Sequence, residues 1–185
     1  MTSSSATVAV ASDGTRRSRA KVYKPPKEFP EIEGVSVFLA GSIEQNKAEQ
    51  WQDALTKHLE DLDITILNPR RDHWDPKWEQ RKRNPEFAFQ VEWELKGQRR
   101  ADIIAMYFDP NTQSPITLLE LGLFASTRKV IVCCPDPFWR KGNVEIVCDD
   151  YGITLIETRD EFFKHIYEKL KELEASKGVD RLSPG

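Results

Sequence analysis

Five short apolar runs punctuate this chain: Val35–Ala40, Ile64–Leu67, Ile103–Tyr107, Val130–Cys134 and Ile153–Ile156. Each is apolar at nearly every position, with only Ser36, Thr65 and Thr154 breaking the runs, which is what a strand buried on both faces requires. Helical spacing fills the gaps. Asn46 to Leu62 carries Ala48, Trp51, Leu55, Leu59 and Leu62, Asn84 to Arg100 follows an Asn-Pro start, Ser114 to Ser126 is almost wholly apolar, and Arg159 to Glu174 is amphipathic. Strands alternating with helices predict a single-domain α/β fold. The expected form is a doubly wound, mainly parallel five-stranded sheet with helices on both faces, of the flavodoxin or Rossmann type.

The folded domain is expected over residues 31–175. Residues 1–30, with Arg16-Arg17-Ser18-Arg19 and Pro25-Pro26, read as a disordered basic tail, and 176–185 as a flexible C-terminus. An Arg- and Ser-rich presequence is weighed against Asp13, which such segments avoid. The net charge of −3 over 185 residues argues against nucleic acid as a partner. No apolar run reaches the ~18 residues of a membrane span. Three cysteines, two of them adjacent in a strand, suggest a reducing, cytoplasmic setting. The three histidines form no ligand spacing with them, so no metal is expected.

In a parallel sheet of this kind ligands bind beyond the carboxyl ends of the strands. That edge collects Gly41 and Ser42, then Asn68, Arg70, Arg71, Asp72 and Trp74, then Asp109, and then Trp139. The glycine is a single one, so neither a dinucleotide fingerprint nor a phosphate-cradling loop is present, and no cofactor is expected. The tryptophans suit stacking on a base, or packing of long loops. Arg70, Arg71, Arg140 and Lys141 suit an anion, or solvent.

Glu120 stands inside Ile116-Thr117-Leu118-Leu119-Glu120-Leu121-Gly122-Leu123-Phe124-Ala125. The run predicts a buried helix, entered through Ser114 as N-cap and Pro115 at the first helical position. A carboxylate there must be paired or accept a raised pKa. Glu94, in Phe89-Gln90-Val91-Glu92-Trp93-Glu94-Leu95, points away from Glu92 on its own helix. Two carboxylates converging on a cleft are the equipment of glycosyl transfer. One attacks or stabilises the anomeric carbon, and the other handles protons or orients a hydroxyl.

The strand-and-loop Val37-Phe38-Leu39-Ala40-Gly41-Ser42 and the helix around Glu120 resemble those of the nucleoside 2-deoxyribosyltransferase family. The resemblance spans roughly residues 35 to 157. It implies that Glu120 is the nucleophile that attacks C1′ of a deoxyribonucleoside. It places Glu94 where the family has an acidic residue that binds the sugar or base. It places Asn143 where the family has an asparagine donated across a subunit interface to the sugar 5′-hydroxyl, so a homodimer or larger homo-oligomer is implied. Three positions depart from the family pattern. Phe38 stands near the place of a tyrosine that positions the nucleophile, Ser114 stands for an aspartate six residues before it, and Glu94 is longer than the usual aspartate. Asp109 or Asp72 would substitute for the missing aspartate.

The implied reaction is transfer of a 2-deoxyribosyl group between bases through a covalent deoxyribosyl-glutamate ester. Its partners would be a nucleoside or nucleotide and a free base. Ser42 and Asn143 would hold the 5′ end, and Asp72 and Trp74 would line the base pocket. Two alternatives stand beside it: an N-glycosidase of deoxynucleosides or their 5′-monophosphates, and a non-catalytic module that binds a nucleotide-derived ligand.

Overall fold

The computed structural model describes residues 19–43, 50–71, 75 and 77–180. In chain order the strands and helices are β1 (Lys21–Tyr23), β2 (Val35–Gly41), α1 (Trp51–His58), β3 (Ile64–Leu67), α2 (Pro85–Arg100), β4 (Ile103–Tyr107), α3 (Pro115–Phe124), β5 (Val130–Cys133), α4 (Lys141–Tyr151), β6 (Thr154–Ile156) and α5 (Arg159–Asp180). All six strands are parallel, in the order β1-β3-β2-β4-β5-β6. The fold is the expected doubly wound α/β type. It has six strands where the sequence predicts five.

The sixth strand comes from the segment expected to be a tail. Lys21, Val22 and Tyr23 pair with Thr65, Ile66 and Leu67 at the edge of the sheet. Asn68 N–H extends this ladder by donating to the Tyr23 carbonyl at 2.9 Å. Three residues, partly exposed, are too few for periodicity to reveal. Residues 1–18 lie outside the described part. At the other end α5 runs on to Asp180, and Lys177 there donates to Asp102 (2.9 Å) and to the Gly34 carbonyl (3.2 Å).

Alternate side chains of the strands feed two cores, as the pleat demands. Val35, Val37 and Leu39 join Trp51, Leu55 and Leu59 of α1 and Phe162, Ile166 and Leu170 of α5 on one face. Phe38 and Ala40 join Trp93 of α2, Leu121 and Phe124 of α3, and Val144 and Cys148 of α4 on the other. Among the described residues no helix is long and apolar enough to cross a membrane, and no group of three or more His, Cys, Asp or Glu could hold a metal ion.

From β2 the chain goes to β3 on one side and then returns to β4 on the other. The switch point therefore lies between the carboxyl ends of β2 and β4, where Gly41 faces Tyr107. Gly41 has φ +144°, and a Cβ there would come within 2.3 Å of the Tyr107 carbonyl oxygen and 2.9 Å of the Trp51 ring. Only glycine allows this approach.

Two local expectations change. α4 is a helix that the sequence reading does not mark. Its start, Lys141-Gly142-Asn143, lacks a cap residue, although Gly152 at φ +63° is an ordinary helix stop. Ser114 is not a side-chain N-cap. It sits in the left-handed region at φ 46° and ψ 49°, and its hydroxyl makes no cap hydrogen bond. The following proline disfavours the right-handed region there, and the hydroxyl is engaged elsewhere.

Candidate active site

Two polar clusters flank the switch point. The first is built of hydroxyls. Ser42 Oγ accepts from Asp109 N–H at 3.0 Å and from Thr112 Oγ1 at 3.0 Å, and it bonds to Ser114 Oγ. Thr112 Oγ1 also lies 2.7 Å from Ser114 Oγ and 2.9 Å from the Asp109 carbonyl. Asp109 Oδ1 accepts from the backbone and the side chain of Asn111 at 2.8 and 3.1 Å. All of Ser42, Asp109, Thr112 and Ser114 are buried. This network ties the loop after β4 to the loop after β2 and holds Ser114 in its strained conformation, which costs on the order of 1–2 kcal/mol.

The second cluster is a row along one face of α2. Asn84 caps this helix by accepting from Glu86 and Phe87 N–H groups, with Pro85 at its first position. Gln90, Glu94 and Gln98 follow at intervals of four and so share a face. Arg71 Nε, from the loop after β3, donates to Gln90 Oε1 at 2.5 Å. Gln90 Nε2 donates to the Pro69 carbonyl at 2.9 Å and to Glu94 Oε1 at 2.6 Å. One turn on, Gln98 Nε2 donates to Glu120 Oε1 of α3. Gln98 is completely buried, and its Oε1 finds no hydrogen-bond partner among the described residues.

Both carboxyls are held far from their ordinary behaviour. Burial pushes Glu94 up to about 7, against the opposing hydrogen bond from Gln90 and the Arg71 charge. Burial first and the charge of Glu94 second push Glu120 up to about 8, against the opposing hydrogen bond from Gln98. The two glutamates therefore sense each other. Groups coupled in this way titrate as a pair.

The expectation of a helix buried on every side fails for α3, and the departure is informative. Thr117, Glu120, Leu121 and Phe124 face inward, while Ile116, Leu119 and Leu123 are 59 %, 60 % and 55 % exposed. The helix thus turns its carboxylate in and three aliphatic side chains out. Ile146 of α4, on the same side of the sheet, is 70 % exposed.

Other site residues of the sequence reading fall into three groups. Asn68 is buried and builds its own loop, its Oδ1 accepting from Arg70 N–H at 3.0 Å. Arg70 is buried beside it, and Arg71 is the arginine shown bonding to the α2 row. Asn143 is exposed on the first turn of α4, apart from the buried row. Asp72 and Trp74 lie outside the described residues. Trp93 is core, against Phe29 and Phe38. Trp139 is 53 % exposed, with Nε1 donating to the Gln113 carbonyl at 3.0 Å and the Arg140 guanidinium over its ring at 4.4 Å. Lys141 is clamped between Asp136 (2.7 Å) and Glu157 (3.2 Å), which leaves the expected anion-binding cluster dispersed. Gln90, Gln98 and Thr112 are site residues that the sequence reading does not mark. The four-residue spacing Gln90–Glu94–Gln98 was the available signal.

A family model described as nucleoside 2-deoxyribosyltransferase like matches residues 34–138, more than half of the chain. The chain belongs to this family. The match contains β2 through β5, and with them both glutamates and the hydroxyl cluster, and it stops short of Asn143. A comparison with curated proteins finds no match. Family membership carries a role in nucleoside processing or related glycosyl transfer to this fold.

Proposed function

We propose that the protein transfers a 2-deoxyribosyl group between nucleobases, with Glu120 as nucleophile and Glu94 as the group that handles the proton. The observation that carries this reading is the electrostatic coupling of a buried carboxyl, Glu120, with a half-buried one, Glu94, inside the segment that matches the family. Glu120 attacks C1′ of the nucleoside. The C1′–N bond breaks, its electron pair leaves with the base, and Glu94 supplies the proton that the base takes up. The resulting deoxyribosyl ester of Glu120 is opened by a second base, which returns the proton to Glu94. Water in place of that base would give hydrolysis.

This chemistry needs Glu120 ionised and Glu94 protonated. The pair holds one proton between about pH 7 and 8, so the reactive arrangement is one of its two singly protonated forms. Ser42, Thr112, Ser114 and Asp109 shape the floor beside it, and Arg71 and Gln90 fix Glu94. Asp72, Trp74 and Arg70, on the loop after β3, would line the base side. The three cysteines of the chain are all free and buried, which suits a reducing, cytoplasmic setting.

The exposed stripe of Ile116, Leu119 and Leu123, with Ile146 nearby, supports association with a second copy of the chain. Asn143, exposed on the same helix as Ile146, would then reach a partner's site. Substitution Leu119→Lys should shift the protein toward monomer in size-exclusion chromatography with light scattering. An unchanged mass would dismiss this surface.

Incubation with 2′-deoxyinosine or its 5′-monophosphate plus adenine, followed by chromatography, tests the reaction. A deoxyadenosine product supports transfer. Hypoxanthine released without a new nucleoside supports the glycosidase instead. Binding of the nucleoside with no consumption, unaltered in Glu120→Gln, supports a binding module.

A further inference from the structure

We infer that Gln98 is the positioning residue that holds Glu120 and keeps its ionised form within reach. Resting on the reading of Glu120 as nucleophile, this assigns the task to α2, because β2 gives only Phe38 and Ala40 to this core and its one polar residue, Ser36, bonds to Asp102. Phe38, the β2 side chain on this face of the sheet, carries no hydroxyl and packs against Trp93 and Gly97. Among the described residues Gln98 donates the hydrogen bond to Glu120, and it does so from a completely buried position.

Three observations separate this from ordinary packing. An amide buried without full hydrogen bonding is costly, and here Oε1 of the same side chain is left without a partner among the described residues. A leucine or methionine would fill the space without that cost. The helix is also brought unusually close to the sheet. A Cβ on Gly97 would lie 2.6 Å from the Phe38 ring, so the neighbour of Gln98 has to be glycine for α2 to sit at this depth. Finally, the donor is aimed at the carboxylate that is most disfavoured as an anion. Glu94 on α2 is the charged group that faces Glu120, and Arg71 from the loop after β3 acts on Glu94. Gln98 thus opposes both the burial of Glu120 and its repulsion by Glu94.

The test follows the carboxyl directly. Protein labelled with ¹³C at the glutamate Cδ is titrated by NMR, with the Glu120 resonance assigned by its loss in Glu120→Gln. In Gln98→Met, which conserves volume and removes both polar atoms, the Glu120 midpoint should rise by about one to two pH units, and kcat on 2′-deoxyinosine should fall about 10- to 100-fold with KM nearly constant. A folded Gln98→Met protein whose Glu120 midpoint stays put overturns the inference. The wild type supplies a second readout that needs no folded variant. The Gln98 side-chain amide signal should titrate with the same midpoint as Glu120 and lose that dependence in Glu120→Gln, and an amide indifferent to Glu120 overturns the inference equally. If the wild type consumes neither 2′-deoxyinosine nor its monophosphate, the proposed reaction fails while both titrations still decide the role of Gln98.

Discussion

The hydroxyl cluster at Ser42 and the carboxylate row on α2 lie on either side of the same switch point, yet they are finished to different degrees. In the first, Ser42, Thr112, Ser114 and Asp109 satisfy one another and a strained backbone is held by them. In the second, among the described residues, Glu120 accepts from Gln98 alone, Gln98 has an idle oxygen, and both carboxyls are displaced toward neutral pH. A closed network rigidifies. An open one stores the capacity to act on something else. The contrast teaches which polar residues are scaffold and which are tools, a distinction that burial alone does not make, since Ser42, Gln98 and Glu120 are all buried.

The strongest way to break the contrast is Glu120→Ala. It should lower turnover by at least about 10³-fold while the circular dichroism spectrum stays native. Retained turnover would make the row another scaffold. Next is Ser42→Ala, which removes the hub of the closed network. It should cost about 1–3 kcal/mol in urea unfolding, independent of pH across the neutral range. A cost below a few tenths of a kcal/mol would mean that the cluster is not structural.

The pH dependence sharpens the comparison. With one proton shared by the pair, kcat/KM should be bell-shaped, with limbs near about 7 and about 8. Glu94→Gln leaves one ionisation, so its falling limb should vanish and its slower rate should rise to a plateau. A bell that survives in Glu94→Gln assigns the second limb elsewhere.

The smallest effect is on stability. Glu120 is raised in the folded state above its ordinary value, so the folded protein binds the proton more tightly than the unfolded chain. That contribution is full below the unfolded pKa and is lost as pH rises through about 8. Glu120→Gln should therefore melt like the wild type at about pH 5 and above it at pH 9, by roughly 2–4 °C for each kcal/mol relieved. Identical melting at both pH values would show that the carboxyl carries no burial cost.

Much of this arrangement is legible in the residues themselves. Five of the strands show as nearly continuous apolar runs because a parallel sheet is covered on both faces. α2 announces itself through Asn84-Pro85, and Glu120 stands out because a carboxylate in a greasy helix is a local conflict. What escapes reading depends on partners distant in sequence. β1 is defined only by its pairing with β3. The left-handed Ser114 looks like a routine cap until Ser42 and Thr112 claim its hydroxyl. Gln98 sits in a charged stretch where glutamine reads as surface. The exposed side of α3 is the plainest failure, since composition says that a helix is apolar and not which of its faces the domain leaves uncovered.

Both margins of the sheet, β1 and β6, are three-residue strands, whereas the four between them run from four to seven. Short borders offer few unpaired backbone groups for a foreign strand to zip onto. The molecule is thereby guarded against runaway end-to-end polymerisation through its sheet, and its sociability is left to the aliphatic flank of a helix, where contacts can be finite and symmetric.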